Sequence, residues 1–176
     1  MAIKHHILSV LVENKFGVLA RVSGLFSRRG YNIYSLAVSP TEDDRYSRMT
    51  VVVDGDDADL VEQITKQLNK LIPVIRITEL ADSDAVEREL MLVTIKAGAD
   101  ARSQATELAS IFEAKILDVG YEAMTLMVAG QPDKLDAMTD LLKPFGIVEL
   151  QRTGRIALPK LARAPSKLRV VKNKSA

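Results

Sequence analysis

The chain has 176 residues, of which 47% are hydrophobic, 27% are charged and none is cysteine, and its formal net charge is +1. This length suits one medium domain or two small domains of roughly 80 residues each. The absence of cysteine excludes disulfides, thiolate metal sites and a cysteine nucleophile, and it agrees with a cytoplasmic protein. The apolar runs are far shorter than the roughly 20 residues of a membrane span, so we expect no membrane segment.

The first 80 residues predict the element order βαββαβ. Residues 7–12 are an apolar run typical of a central strand, and turn residues follow at 13–17. Residues 18–29 carry apolar side chains at helical spacing, and Gly30 is expected to cap this helix in the left-handed conformation. The remaining predicted elements are a strand at 31–38, a strand at 48–54, a helix at 58–71 and a strand at 74–78.

A polar linker at residues 81–84 precedes a second set of elements in the same order. Its predicted strands lie at 89–97, 116–119, 124–128 and 147–151, with one helix ending near residue 113 and another starting at Pro132. We therefore predict an α+β fold of two ferredoxin-like βαββαβ domains, residues 1–80 and 85–158, each an antiparallel sheet with two helices on one face.

The predicted strands are apolar on both faces, so the face without helices should also be covered. In domains this small the expected cover is another subunit. Residues 159–176 form a tail with six Lys or Arg residues and no acid. We expect a flexible, solvated terminus there, and the alternative is docking to an acidic partner or nucleic acid.

No set of residues in the sequence is suited to catalysis. His5 and His6 are adjacent in a predicted strand and point to opposite faces, so they cannot jointly bind one metal ion. Neither glycine-rich phosphate-binding motif occurs, and the aspartates at 43–44 and 54–57 lie in loops without a metal-ligand pattern. The third strand lacks the aromatic residues with which related folds stack RNA bases. We predict a binding module with no catalytic residues, no metal and no nucleic-acid partner.

The turn after the first strand is the predicted site for a small ligand. The backbone N–H groups at the start of the following helix suit a carboxylate, and Gly17 lets a ligand approach the backbone closely. Asn14 offers a donor and an acceptor to a zwitterion, and Asn32 would add a contact from a neighbouring chain. An aliphatic wall would come from Val18, Leu19 and Ile33. The alternative is that Asn14 merely caps the helix and Gly17 merely serves the turn.

Several segments resemble one known family. The segments ILSVLVEN, GVLARV and GLFSRRGYNI, at residues 7–14, 17–22 and 24–33, resemble the ACT domain of the small subunits of acetohydroxyacid synthase (AHAS, also called acetolactate synthase). The segments VERELMLV, GQPDKLD and PFGIVEL, at residues 86–93, 130–136 and 144–150, resemble the C-terminal domain of that family. The resemblance extends over about residues 5–158, and it is least specific in the C-terminal part.

This resemblance implies a non-catalytic subunit that associates with a large catalytic subunit carrying thiamine diphosphate, FAD and Mg²⁺. The small subunit would raise the activity of that enzyme and make it sensitive to valine or another branched-chain amino acid. It would dimerise through its ACT domain, residues 1–80, with the effector at the dimer interface. The resemblance places Asn14, Gly17, Val18 and Leu19 on the effector-binding loop, and Asn32 and Ile33 on the facing strand. The alternative is a free-standing amino-acid-sensing ACT regulator of another enzyme or of a repressor.

Overall fold

The structure is a computed structural model that describes residues 5–55, 58–81 and 84–161. The described residues divide into two compact units. The first unit contains residues up to Val86 together with residues 155–161, and the second unit runs from Glu87 to Gly154.

The first unit contains a four-stranded antiparallel sheet in the order β2-β3-β1-β4. Its elements are β1 His5–Glu13, α1 Val18–Arg29, β2 Ile33–Pro40, β3 Tyr46–Asp54, α2 Ala58–Leu68 and β4 Val74–Leu80. Alternate residues of the central strand β1, Leu8, Val10 and Val12, pack against both helices. The helices contribute apolar residues at helical spacing: Val18, Val22, Leu25 and Phe26 from α1, and Val61, Ile64 and Leu68 from α2.

The second unit repeats this arrangement, with a sheet in the order β6-β7-β5-β8. Its elements are β5 Ala85–Lys96, α3 Ala99–Ile111, β6 Lys115–Val119, β7 Ala123–Gly130, α4 Pro132–Leu142 and β8 Ile147–Arg152. The first two residues of β5 still belong to the first unit. Met91, Val93 and Ile95 of β5 share a core with residues of both helices, including Ala105 and Leu135. The predicted pair of ferredoxin-like βαββαβ folds is thus confirmed.

A ninth strand, β9 Ile156–Pro159, was not predicted, and it returns the chain to the first unit. Ala157 is only 5% exposed and forms a small core with Ile7, Val52, Leu80 and Ala85. Because side chains alternate along a strand, Ile7 lies opposite Leu8, on the face without helices. We predicted that another subunit would cover this face; part of it is instead covered by the C-terminal strand of the same chain.

The predicted linker and tail lie partly outside the described residues, which omit 82–83 and 162–176. The second compact unit ends at Gly154, four residues before the predicted domain limit at residue 158. Pro159, predicted as the first tail residue, closes β9, and the Lys160 N–H donates to the Asp84 carbonyl at 2.7 Å. None of the helices in the described ranges is long and apolar enough to cross a membrane.

Candidate functional site

The loop between β1 and α1 is held to neighbouring loops by its backbone and by Asn14. The Asn14 N–H donates to the Arg45 carbonyl at 2.8 Å, and the Asn14 side-chain Nδ2 donates to the Asp44 carbonyl at 2.9 Å. No side chain in the described part of the chain caps the start of α1. The alternative in which Asn14 is a helix cap is therefore wrong, because Asn14 connects this loop to the loop between β2 and β3.

Gly17 precedes α1 with φ 77° and ψ −1°, in the left-handed region that L residues rarely adopt. A Cβ atom added at Gly17 would meet no heavy atom of the described residues within 4 Å. The turn thus favours glycine because of its backbone conformation rather than because of crowding. The same observation leaves open space next to the helix start, as the ligand prediction requires.

The start of α1 offers hydrogen-bond donors to an anion. The Val18 N–H donates to the Lys15 carbonyl at 3.3 Å, and the Arg21 N–H donates to the Gly17 carbonyl at 3.0 Å. Between them, the N–H groups of Leu19 and Ala20 have no acceptor among the described residues. The first turn also contains no acidic side chain. Unpaired N–H groups at the positive end of a helix dipole can bind a carboxylate.

A shallow depression, open to solvent and lined by Asn14, Lys15 and Phe16, lies beside this helix start. The Phe16 side chain is fully exposed, and Leu19 is 45% exposed. Val18, predicted as part of an aliphatic wall for the ligand, is only 5% exposed and packs in the core instead. Leu19 is therefore the aliphatic side chain that α1 presents at this site.

Two acidic side chains near the loop form ion pairs. Arg45 Nη2 lies 2.6 Å from Asp43 Oδ2, and this side-chain hydrogen bond, with a backbone one from Arg45, lowers the pKa of Asp43 to about 2. Lys15 Nζ lies 3.1 Å from Glu13 Oε2. Glu13 and Asp43 thus each have a cationic partner, which reduces their repulsion of an incoming carboxylate.

The other predicted site residues, Asn32 and Ile33, lie at the opposite end of the sheet. Asn32 precedes β2 and donates from Nδ2 to Asp54 Oδ2 at 3.0 Å, and Asp54 pairs with His5, the first residue of β1. Asn14 follows the last residue of β1. The nine residues of β1, at about 3.3 Å per residue, separate the two ends by about 26 Å. One chain therefore does not bring the predicted site residues together.

Strand β2 lies at an edge of the sheet, and no described strand pairs with its outer side. Tyr34 and Val38 of β2 are about half exposed, at 50% and 41%. Both β2 and β1 run antiparallel to β3, so β2 begins at the end of the sheet where β1 begins. An edge strand with exposed apolar side chains offers backbone groups to another strand.

The two histidines have separate partners, as their positions in the strand predicted. His5 Nδ1 lies 2.9 Å from Asp54 Oδ1, whereas His6 Nδ1 lies 3.5 Å from Glu79 Oε1. Within the described ranges, no group of three or more His, Asp or Glu residues could hold a metal ion. The contact of Asp54 with Asn32 was missed at the sequence level, because it depends on the pairing of β3 with β1 and β2.

Comparison with known proteins gives consistent matches over both units. One family model, described as an AHAS small subunit-like ACT domain, matches residues 8–76, and a second, described as the small subunit of acetolactate synthase, matches residues 88–161. A probable acetolactate synthase small subunit from Archaeoglobus fulgidus is 52% identical over 153 residues, covering 87% of this chain and 95% of that protein. An acetolactate synthase small subunit from Mycolicibacterium smegmatis is also 52% identical over 153 residues, covering 87% and 89%. The crystal structure of the acetolactate synthase small subunit from Thermotoga maritima superimposes with a TM-score of 0.85 at 35% identity, covering 90% of this chain and 99% of that one.

Proposed function

Since this chain belongs to the family of acetolactate synthase small subunits, we propose that it is the non-catalytic regulatory subunit of that enzyme. It associates with a large catalytic subunit, which carries thiamine diphosphate, FAD and Mg²⁺, and raises the activity of that subunit. It also confers feedback inhibition by valine or another branched-chain amino acid, the end products of the pathway. The second unit contributes to activation, and the first unit senses the effector.

The observation that carries this proposal is the start of α1. Among the described residues, the backbone N–H groups of Leu19 and Ala20 have no acceptor there. Gly17 leaves the approach open, and no acidic side chain lies in the first turn. These features suit the carboxylate of a small amino acid. The exposed side chain of Leu19 suits an aliphatic rather than a polar side chain of the ligand.

A dimer would complete this site. If a second copy adds its β2 antiparallel to the exposed edge of β2, a two-fold axis relates the two strands. The partner's β2 then begins at the end of the sheet where β1 ends in the first copy. Asn32 and Ile33 of one chain would therefore approach Asn14 and Leu19 of the other. This arrangement accounts for the separation of about 26 Å within one chain, at about 3.3 Å per strand residue.

Reconstitution tests the proposed function. The full-length chain should produce no acetolactate from pyruvate by itself when all three cofactors are supplied. Added to the large subunit of the same organism, it should co-elute with that subunit, raise its rate of acetolactate formation and make that rate sensitive to valine, leucine or isoleucine. The proposal would be overturned if the two subunits did not associate. A chain that bound one of these amino acids without binding the large subunit would indicate a free-standing regulator.

A further inference from the structure

Asp54, the last residue of β3, is the centre of a small hydrogen-bond network. Its Oδ1 lies 2.9 Å from His5 Nδ1, and its Oδ2 accepts a hydrogen bond from Asn32 Nδ2 at 3.0 Å. The His5 ring lies against the Tyr34 ring, with centroids 4.3 Å apart and planes inclined by 32°. Because each carboxylate oxygen has its own partner, the two hydrogen bonds together hold the plane of the Asp54 carboxylate.

This network fixes the orientation of the Asn32 amide. A carboxylate only accepts hydrogen bonds, whereas a primary amide donates from its nitrogen and accepts at its oxygen. The NH₂ group of Asn32 must therefore face Asp54, since the flipped amide would place two oxygen atoms against each other. The Asn32 side chain is exposed, and its Oδ1 has no hydrogen bond within the part of the chain that the structure describes. Asn32 thus presents an acceptor on the side away from Asp54.

We propose that Asp54 is a positioning residue that aims the Asn32 carbonyl oxygen at the ammonium group of a zwitterionic effector. This inference rests on the proposed function, and it specifies which end of the ligand is bound by each of the two chains. The ammonium group lies at Asn32 of one chain, and the carboxylate lies at the N–H groups of Leu19 and Ala20 of the other. The negative charge of Asp54 also polarises the Asn32 amide and strengthens its oxygen as an acceptor.

A purely structural role for Asp54 would be to tie the start of β2 to β3. The two roles differ in how a variant responds to ligands with and without an amino group. Valine and 3-methylbutanoate differ in that group alone. Loss of amide orientation should weaken the binding of valine and leave the binding of 3-methylbutanoate almost unchanged, whereas a loosened strand should weaken the binding of both ligands by the same factor.

The experiment measures inhibition of the reconstituted holoenzyme by each ligand, with full-length small subunit. Asp54→Ala should raise the valine inhibition constant by about tenfold or more, the usual loss for a charge-assisted hydrogen bond. It should change the constant for 3-methylbutanoate by less than about threefold. An equal change for both ligands, or no change for either, would overturn the inference.

Conservative variants provide a second readout. Asp54→Asn keeps an oxygen that accepts a hydrogen bond from Asn32, so its valine inhibition constant should remain within a few-fold of the wild-type value. Asn32→Asp alone places two carboxylates side by side and should weaken valine inhibition strongly. The double variant Asn32→Asp with Asp54→Asn restores a donor–acceptor pair and presents a carboxylate oxygen to the ammonium group. The valine inhibition constant of this double variant should be about tenfold lower than that of Asn32→Asp, and an equal inhibition constant would contradict the proposed orientation.

A matched control lies at the other edge of the same sheet. Glu79 of β4 contacts His6 at 3.5 Å, so Glu79→Ala also removes a carboxylate beside a histidine but leaves Asn32 untouched. Inhibition by valine should be unchanged in this variant, and a loss equal to that of Asp54→Ala would count against a specific role of Asp54. If the wild-type holoenzyme does not respond to any branched-chain amino acid, the proposed function itself fails. If wild type responds and Asp54→Ala responds equally, only the role of Asp54 fails.

Discussion

Substitution of Gly17 by aspartate tests the binding loop with little disturbance of the fold. A Cβ at this position meets no atom within 4 Å, so the side chain has room. The positive φ of 77° costs an L residue about 1 kcal/mol, and Asp is among the residues that tolerate this conformation best. A carboxylate near the first turn of α1 also interacts favourably with the helix dipole. The variant should therefore fold and still activate the catalytic subunit.

The effect on the effector should be much larger than the effect on stability. The new carboxylate would lie beside the N–H groups of Leu19 and Ala20 and would compete with the carboxylate of the effector for them. Loss of a hydrogen bond to a charged group costs about 1.5–3 kcal/mol. Repulsion between two carboxylates about 4 Å apart adds about 1 kcal/mol or more, even in water. Because 1.4 kcal/mol corresponds to about tenfold in affinity, inhibition should weaken by well over about tenfold.

The assay is inhibition of the reconstituted holoenzyme by valine, with activation measured in parallel. Gly17→Asn is the matched control, because it has the same shape and the same backbone strain without the charge. The difference between the two variants therefore reports the charge alone. If Gly17→Asp were inhibited as strongly as wild type, the effector would bind elsewhere, and the assignment of the loop would be refuted.

Strand β9 should stabilise the first unit because it covers part of the helix-free face of the sheet. A chain that ends at residue 86 should therefore have a free energy of unfolding in urea about 3 kcal/mol lower than a chain in which a short linker joins residue 86 to β9. Equal free energies of unfolding would contradict this role of β9. Val38→Lys, on the exposed edge of β2, should raise the dissociation constant of self-association, measured by sedimentation, by about tenfold or more. Ile111→Lys, in the second unit, should leave this constant unchanged. By NMR, the carboxyl of Asp43 should titrate with a pKa of about 2, and Arg45→Ala should return it towards the ordinary value of 3.8. Because the pKa in the folded state is the lower one, this pair stabilises the fold above the ordinary pKa and loses that contribution as the pH falls towards about 2.

The helices and the strands β1, β3, β4, β5 and β7 could be predicted because each buries two or more apolar residues at regular spacing. Strands β2, β6 and β8 contain no buried residue and were recognised from short apolar runs. Strand β1 and helix α1 have four or more buried positions each, and Gly30 marks the end of α1 with φ 69°. Strand β9, which was missed, has only four residues, of which Ala157 alone is buried, and it lies beyond the last strand of the second predicted βαββαβ repeat. Its packing partner Ile7 lies at the other end of the chain, and only tertiary contacts reveal that pairing.

Only those features of the candidate site that depend on residues adjacent in the sequence could be predicted. The turn at Gly17 and the open helix start follow from residues that are adjacent in the sequence. The contact of Asn14 with the Asp44 carbonyl joins residues 30 positions apart, and the contact of Asn32 with Asp54 spans 22. Both depend on the register of β3 between its two neighbours, which the periodicity of the sequence does not specify.

The central claim is that each effector site combines the loop of one chain with the β2 strand of another. Dimers that pair a Gly17→Asp chain with an Asn32→Ala chain test this claim most directly. Each parent homodimer has two damaged sites, whereas the mixed dimer has one site damaged on both sides and one site with only wild-type residues. Calorimetric titration of the doubly tagged mixed dimer should give one valine per dimer with wild-type affinity, and neither homodimer should bind valine comparably. A mixed dimer that binds no better than its parents would contradict a site shared between chains.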